Sequence, residues 1–584
     1  MIHCIELLKN EILEVIGNIV TDNDLEVTVS EKDIILSPPK IKEHGDLSTN
    51  FAMAFSKKLK KNPRELASLI VSGLNAKGSR VFSEVSIAGP GFINFKLSTE
   101  QLYEGIQRIL ASKKSWGKHE EKPGKINLEF VSANPTGPMH VGHGRGAAVG
   151  DSVARILRFA GYSVTSEYYL NDAGRQVDNL AKSVYARYLE ILNKIDSSVE
   201  TIEFPEDGYH GEYVYSIAND FFNERGAEFS TGYNEDVFKE FAIESALTGI
   251  KKTLKDLDIT FDVYYSEKEL HKKGALESAR EILENKGFLY ESEGAVFFKS
   301  TEFGDEKDRV LIRSNGEPTY FAADIAYHLD KFRRGHDHLI DLWGADHHGY
   351  IPRMRASLEA MGYSGTDLEV LLVQFVSLVK GDEKLAMGKR SGNFVTLDEL
   401  ISEIGSDVTR WYFVAKSHDV ALDFDLSQAL SEDPRENPAK YAQYGHARAC
   451  SILAKAHELY EKDFTEVDSG ILGRLTLDDE LEITKSMMMF PQVVWDAANT
   501  RSPHKIANFL IEISRMFNSY YTRYKDDPVL PKPTQQSMGW ELTWDNEKTL
   551  ARLAWIECFK VVTGNALNLL GLSSPQYMTS AQEV

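Results

Sequence analysis

Cysteine is scarce in this chain. Cys4, Cys450 and Cys558 are the only three in 584 residues, far apart and never as a CxxC pair. That spacing excludes a zinc ribbon and a disulfide framework and fits a reducing compartment. Long apolar runs are missing too, for none approaches the roughly 20 residues that span a bilayer. The opening MIHCIELLKNEILEVIG carries acids inside its apolar part and no basic lead, which excludes a signal peptide. A soluble, cytoplasmic protein without membrane contact is expected. Positive charge is in deficit: 66 Lys+Arg against 88 Asp+Glu leave a formal net charge of −22. This balance opposes bulk attraction to nucleic acid and leaves only local basic faces for it. Lys57, Lys58, Lys60, Lys61 and Arg64 form one such cluster, which alone reads as a solvated helix face. Low-complexity tracts and internal repeats are also lacking.

What is present is a globular composition, 42% hydrophobic and 26% charged. The length suits roughly two to four domains. Residues 1–115 read as a small α/β unit. Ile5, Leu8, Ile12 and Ile16 mark a first helix, and LEVTVS and DIILSP read as strands. HGDLSTNFAMAFSKKLKKNPRELASLIVSGL reads as helical with a fresh start near Pro63, and VSIAGPGFINFKLS as strand, turn, strand. The polar stretch 112–125 reads as a linker.

From Ile126 the rhythm changes. INLEFVS reads as a strand ending near Val131. A helix through VGDSVARILRFAG follows, capped at Gly161, and SVTSEYYL is the next strand. Strand, helix, strand implies a parallel crossover. After a mostly helical stretch over 175–260, FFKS, RVLIRS, HLIDLWG and LEVLLVQFVSLVKG return as strands. An α/β, doubly wound sheet split by a helical insertion is expected. Beyond about residue 400 strand signals almost vanish, and Ile506, Phe509, Leu510, Ile513, Phe517, Tyr520 and Tyr521 make a helical stripe. The last part therefore reads as an all-α bundle.

The stretch NPTGPMHVGHGRG, Asn134 to Gly146, follows the first strand of that sheet and opens a helix. Ligands of open α/β sheets bind at strand carboxyl ends, and helix N-termini suit phosphate. His140 and His143 share one face of the first turn, and Gly142, Gly144 and Gly146 leave backbone open to a ligand. The bland alternative makes the histidines capping residues in a loop. Gly142-His-Gly-Arg-Gly-Ala147 also matches a dinucleotide fingerprint nominally, but its first glycine comes too far after the strand for the required tight turn. LAMGKRSGNFVTLDEL supplies Lys389 and Arg390 in a glycine-flanked segment, a cationic pair suited to a leaving pyrophosphate.

With these residues the sequence resembles the class I aminoacyl-tRNA synthetases, and their arginyl-tRNA synthetase branch in particular. His140-Val-Gly-His143 matches the HIGH signature, and Met387-Gly-Lys389-Arg390 matches KMSK imperfectly, with Ala386 and Gly388 out of pattern. SANPTGPMHVGHGRGAAVGD, YYLNDAGRQV, WGADHHGYIPRM, SGNFVTL and ENPAKYAQYGHAR resemble the arginine-specific branch, and the likeness covers nearly the whole chain. It implies a tRNA-contacting domain over 1–115, a Rossmann-like catalytic domain over 116–452 and an all-α anticodon-binding domain over 453–584.

It also implies a reaction in which the arginine carboxylate attacks the α-phosphorus of ATP, and the arginyl group then passes to the 3′-terminal adenosine of tRNA-Arg. ATP with Mg2+ is a substrate complex, no cofactor is tightly held, and a monomer is expected. By resemblance His140, His143, Lys389 and Arg390 are catalytic, and Gly142, Gly144 and Met387 join His140, His143 and Lys389 at ATP. Asn134, Glu129, His143, Glu267, Tyr320, Asp324 and His348 are the candidates for arginine, whose planar guanidinium wants a forked carboxylate partner. Taken alone, Asp324 would read as a solvated helix acid and Tyr320 as a core aromatic. Asp346, His347 and His348 lack a further ligand at fixed spacing, so no protein metal site is expected. Tyr520, Tyr521, Arg523, Tyr524 and Lys525, and Asn50 and Phe51 with the lysine cluster, lie in regions resembling the tRNA-contacting modules. A cysteinyl relative would need a cysteine-built zinc site. A silent tRNA-binding paralogue rests only on the altered second signature.

Overall fold

In a computed structural model the described residues are 1–22, 26–381, 383–384, 396–460, 464–532 and 544–578. At the centre lies a five-stranded sheet built from β1 (Lys125–Glu129), β2 (Ser163–Leu170), β3 (Val263–Ser266), β4 (His338–Gly344) and β5 (Leu368–Val373). Its order is β5-β4-β1-β2-β3, and every neighbouring pair is parallel. Ile126, Asn127 and Leu128 of β1 are all buried, as expected of a strand covered on both faces. Chain order reverses between β1 and β4, and this switch point opens the crevice in which such sheets bind ligands.

Helix α1 (Val141–Phe159) returns the chain from β1 to β2. Val149, Val153, Ile156 and Leu157 bury its inner face, and Gly161 follows its end at φ 91°. A Cβ on Gly161 would stand 1.9 Å from the Glu120 carbonyl, so only glycine fits. The sheet packs this helix at Gly150, where a Cβ would meet the Phe130 ring at 2.3 Å. Helix α2 (Tyr320–Arg333), started by the Thr319 cap, precedes β4.

Several expected strands differ. FFKS and RVLIRS fall in Ala295–Phe298 and Arg309–Ile312, which pair antiparallel beside Leu289–Ser292 in a sheet of their own. LEVLLVQFVSLVKG breaks at Gln374-Phe375 into β5 and Val376–Lys380. The second piece pairs parallel with Leu422–Asp425, a strand in the stretch where strand signals almost vanish. In the N-terminal unit the described residues of LEVTVS and DIILSP form no strand, and among them only Ser37 makes a bridge, to Ser48. Leu47–Thr49, read as helix, instead pairs with Phe92–Leu97, pinned by the Asp46 carboxylate accepting from the Leu97 amide at 2.8 Å. Tertiary pairing overrides local preference in these segments.

The stretch 112–125 is packed rather than a free linker. Trp116 Nε1 donates to the Met487 carbonyl at 3.1 Å, and the Lys122 ammonium sits 3.4 Å from the Trp495 ring centre. The C-terminal bundle comprises Pro438–Leu459, Asp478–Asn499, His504–Arg523 and Asn546–Leu569. Ile506, Leu510, Ile513, Phe517 and Tyr520 of the expected stripe are buried there. Among the described residues no helix is long and apolar enough to cross a membrane.

Candidate active site

β1 ends at Glu129, earlier than expected, because Val131 and Ser132 take left-handed backbone at φ 70° and 41°. That conformation is rare for a β-branched residue and turns the loop sharply out of the sheet. The Ser132 hydroxyl holds the turn, donating to Glu129 Oε1 at 2.9 Å and accepting from the Tyr169 amide at 3.0 Å. The Tyr168 hydroxyl donates to the Ala133 carbonyl, and Tyr213 from the helical insertion donates to the Thr136 carbonyl, both at 2.7 Å. Asn134 is exposed on this loop and donates to Gln176 at 2.7 Å.

The two histidines do cap the helix. The His143 amide donates to His140 Nδ1 at 3.2 Å, and the His140 amide donates to His143 Nδ1 at 3.3 Å. Their rings stack with centres 3.5 Å apart. An Nδ1 that accepts from a backbone amide carries no proton, so this reciprocal cap fixes the neutral tautomer with hydrogen on Nε2. Both rings then carry their hydrogen on Nε2 at a helix start, so capping does not contradict a role at phosphate.

Gly144 is used differently from the expectation. It is buried, its amide is satisfied by His140, and a Cβ would strike Leu397 at 2.7 Å and Phe413 at 2.9 Å. Its bare backbone admits packing rather than a ligand. Gly142 is exposed beside the His140 ring. Met387, Lys389 and Arg390, with Ala386 and Gly388, lie outside the described residues. The chain after them is described: Thr396 bridges to His140, and the Leu397 amide donates to the Met139 carbonyl at 2.9 Å. The segment that follows the second signature is therefore seated on the first.

The other candidates gather at the same strand ends. Glu129 ends β1, Glu267 follows β3, His348 lies in the turn after β4, and Asp324 stands on α2. The carboxylates of Glu267, Asp324 and Glu129 all act on the Tyr169 hydroxyl, which burial and these charges push up. Burial likewise raises Glu267, and it pushes Asp324 up to about 6 although the Tyr350 hydroxyl donates to it. Carboxyls that burial raises at the mouth of a crevice suit a cationic ligand. Tyr320, one turn before Asp324, is 73% exposed, and His348 is exposed.

Beneath the pocket lie charges that sequence reasoning missed. The fully buried Lys331 ammonium donates to Glu129 at 2.6 Å and to Asp341 at 2.9 Å. His328 contacts the Asp324 carbonyl at 2.7 Å and Asp341 at 2.8 Å. Tyr350 and Tyr169 were missed as well, although both lie in strings quoted for the resemblance. A signal existed for the charged pair: Asp324, His328 and Lys331 fall on one face of α2, a face otherwise apolar.

Parts of the regions that resemble the tRNA-contacting modules are core. Phe51 is fully buried, and Tyr520 is buried with its hydroxyl on Glu480 at 3.0 Å. Arg523 is paired with Asp479, while Tyr521 is exposed beside Arg448.

Comparison with known proteins fits this geometry. Residues 105–449 match the family model for the class I (R) tRNA synthetase catalytic domain. Residues 6–97 match the arginyl tRNA synthetase N-terminal domain, and 442–578 the DALR anticodon-binding domain. The arginine–tRNA ligase of Desulforamulus reducens is 42% identical over 94% of both chains. That of Bacillus licheniformis is 42% identical over 98% of this chain and 99% of its own. The Thermus thermophilus arginyl-tRNA synthetase structure overlays with a TM-score of 0.72, covering 98% of this chain and 100% of that one, at 22% identity that shows the fold alone. With a switch-point crevice, a paired-imidazole helix start and matches to three domain models along its length, the chain belongs to the arginyl-tRNA synthetase family.

Proposed function

We propose a division of labour for the reaction of this arginine–tRNA ligase, in which ATP activates L-arginine as an adenylate and tRNA receives it. The reading is carried by one observation: a carboxylate pocket and a paired-imidazole helix start share the carboxyl end of β1. Asp324 takes the guanidinium, with Glu267 as the second carboxylate, Tyr320 on the same helix face and His348 at the rim. Glu129 and Asn134 hold the α-amino end. The substrate carboxylate is its own nucleophile, so no protein nucleophile is needed. It attacks the α-phosphorus, and the bond to pyrophosphate breaks. The Nε2–H groups of His140 and His143 donate to phosphate oxygens as charge builds there. Gly142 gives the triphosphate close approach. Lys389 and Arg390, with Met387, receive the departing pyrophosphate, whose Mg2+ arrives with ATP. We assign tRNA contact to 1–115, catalysis to 116–452 and anticodon binding to 453–584, in a cytoplasmic monomer whose substrate RNA is tRNA-Arg.

Lysine would leave half of the carboxylate fork unmade, so rejection by several kcal/mol is available without editing. Charging of a tRNA pool with each amino acid tests the reading, with arginine alone expected to be esterified. Failure with arginine while tRNA still binds would replace it with the silent-paralogue reading. Lys389→Ala should slow arginine-dependent ATP–pyrophosphate exchange more than it weakens tRNA binding, and equal losses would remove Lys389 from its assigned role.

A further inference from the structure

Under the pocket a buried histidine meets the main chain of Asp324. His328 lies two helix turns into α2, buried, with each ring nitrogen facing an oxygen. Nδ1 faces the Asp324 carbonyl, which can only accept. Nε2 faces Asp341 Oδ2, whose carboxylate also accepts from Lys331 through Oδ1. Burial would raise Asp341, but the Lys331 ammonium and His328 overcome it and hold the carboxyl well below its usual range. An ionised Asp341 has no proton to give. The two ring nitrogens and the two oxygens they face are satisfied together when both nitrogens carry hydrogen.

We infer that His328 is a positioning residue: a buried imidazolium that grips the Asp324 main chain and Asp341, keeping the Asp324 carboxylate ionised and aimed at the substrate guanidinium. The inference rests on the assignment of Asp324 to arginine. Charge accounting supports it. Lys331 and His328 together cancel Glu129 and Asp341, which face each other across β1 and β4. Asp324 is left for a cationic substrate, with Glu267 beside it, whose Oε1 lies 3.6 Å from His271 Nε2. The groups facing Asp324 are Tyr350 from the turn after β4, Glu129 from β1, Glu267 after β3, Tyr169 from β2 and His328 from its own helix. Tyr350 and His328 favour its anion, and the two carboxylates oppose it. Facing His328 itself are Asp341, Lys331 and Glu129. Burial alone would drive its proton off, and Asp341 keeps it on.

The test is L-arginine binding to the full chain by calorimetry between pH 5.5 and 8.5, for wild type, His328→Gln and Asp324→Asn. Loss of one nearby positive charge should move the lower inflection of His328→Gln up by about one pH unit. Arginine would then bind about fivefold more weakly at pH 6 and almost as well as to wild type at pH 8. An inflection that stays in place, with uniformly weaker binding at every pH, would overturn the proposal and leave His328 a packing residue. Asp324→Asn separates the two ideas: if it still binds arginine normally, the pocket assignment itself fails. Should His328→Gln not fold, histidine-labelled wild type decides by 15N NMR. One buried ring with both nitrogens protonated at pH 8 is expected, and its absence would overturn the imidazolium.

Discussion

At the scale of single residues, the active site is a set of proton assignments. Two neutral histidines offer Nε2–H donors because backbone amides occupy their other nitrogens. Asp324 is the opposite case, an acid whose anion burial disfavours although Tyr350 and His328 support it. Its pKa is raised, to about 6, by burial. On the proposed assignment arginine binds the anion, so affinity should fall as pH drops through about 6 and level off above it. The sign for stability follows. A carboxyl raised on folding costs stability as pH rises from the unfolded carboxylate range through the folded value, and bound guanidinium removes that cost. Arginine should therefore raise the melting temperature more at pH 7.5 than at pH 5, as scanning calorimetry would show. A shift equal at both values would take Asp324 out of the linkage. Asp324→Asn should raise the arginine KM at least about 30-fold, as expected when a buried charge loses its partner, with the ATP KM little moved.

At the scale of elements, legibility depended on how local the causes were. β1, α1, β2 and β4 follow from apolar pattern and caps within each segment, and they carry most of the site. The antiparallel placement of FFKS and RVLIRS was not legible, because short apolar runs do not say which edge they pair with. Nor was the break at Gln374-Phe375, where the Arg145 side chain takes the Gln374 carbonyl at 2.8 Å from a distant helix. The charges under the pocket were half legible. Spacing puts Asp324, His328 and Lys331 on one face of α2, but their partners Glu129 and Asp341 come from two separate strands. The α1–β1 contact yields an element-scale prediction. Gly150→Ala pushes a methyl into the Phe130 ring, one residue before the strained turn that carries Asn134. Overpacking of this kind costs about 1–3 kcal/mol. Thermal unfolding should register that loss, and ATP–pyrophosphate exchange should fall with it. Gly146 has open space around its Cβ position, so Gly146→Ala should hold or raise stability. Equal behaviour of the two variants would show that helix propensity, not the Phe130 contact, governs this element.

At the scale of the whole molecule, one guanidinium ties distant regions together. Arg410 is fully buried and donates to Asp151 on α1 at 2.5 Å, to the Leu257 carbonyl ending the insertion at 2.6 Å, and to the Leu570 carbonyl at 3.0 Å. The next residue, Gly571, crosses the guanidinium at φ 68°, where a Cβ would stand 2.1 Å from Arg410 Nη2. Helix α1, the insertion and the C-terminal bundle therefore share one side chain. Arg410→Leu keeps the bulk but leaves Asp151 buried with Arg155 as its one ionic partner among the described residues, and it strands two carbonyls. Removing one member of a buried ion pair costs about 3–5 kcal/mol. Hydrogen exchange should quicken first in residues 568–572, which lose their anchor, and then in the end of the insertion near Leu257. Arg410→Lys should recover part of that protection, since an ammonium reaches Asp151 but cannot serve three acceptors in one plane. If exchange in the two regions stayed at wild-type rates in Arg410→Leu, their docking would have to come from the apolar core alone, where Trp555, Phe559 and Leu567 are fully buried.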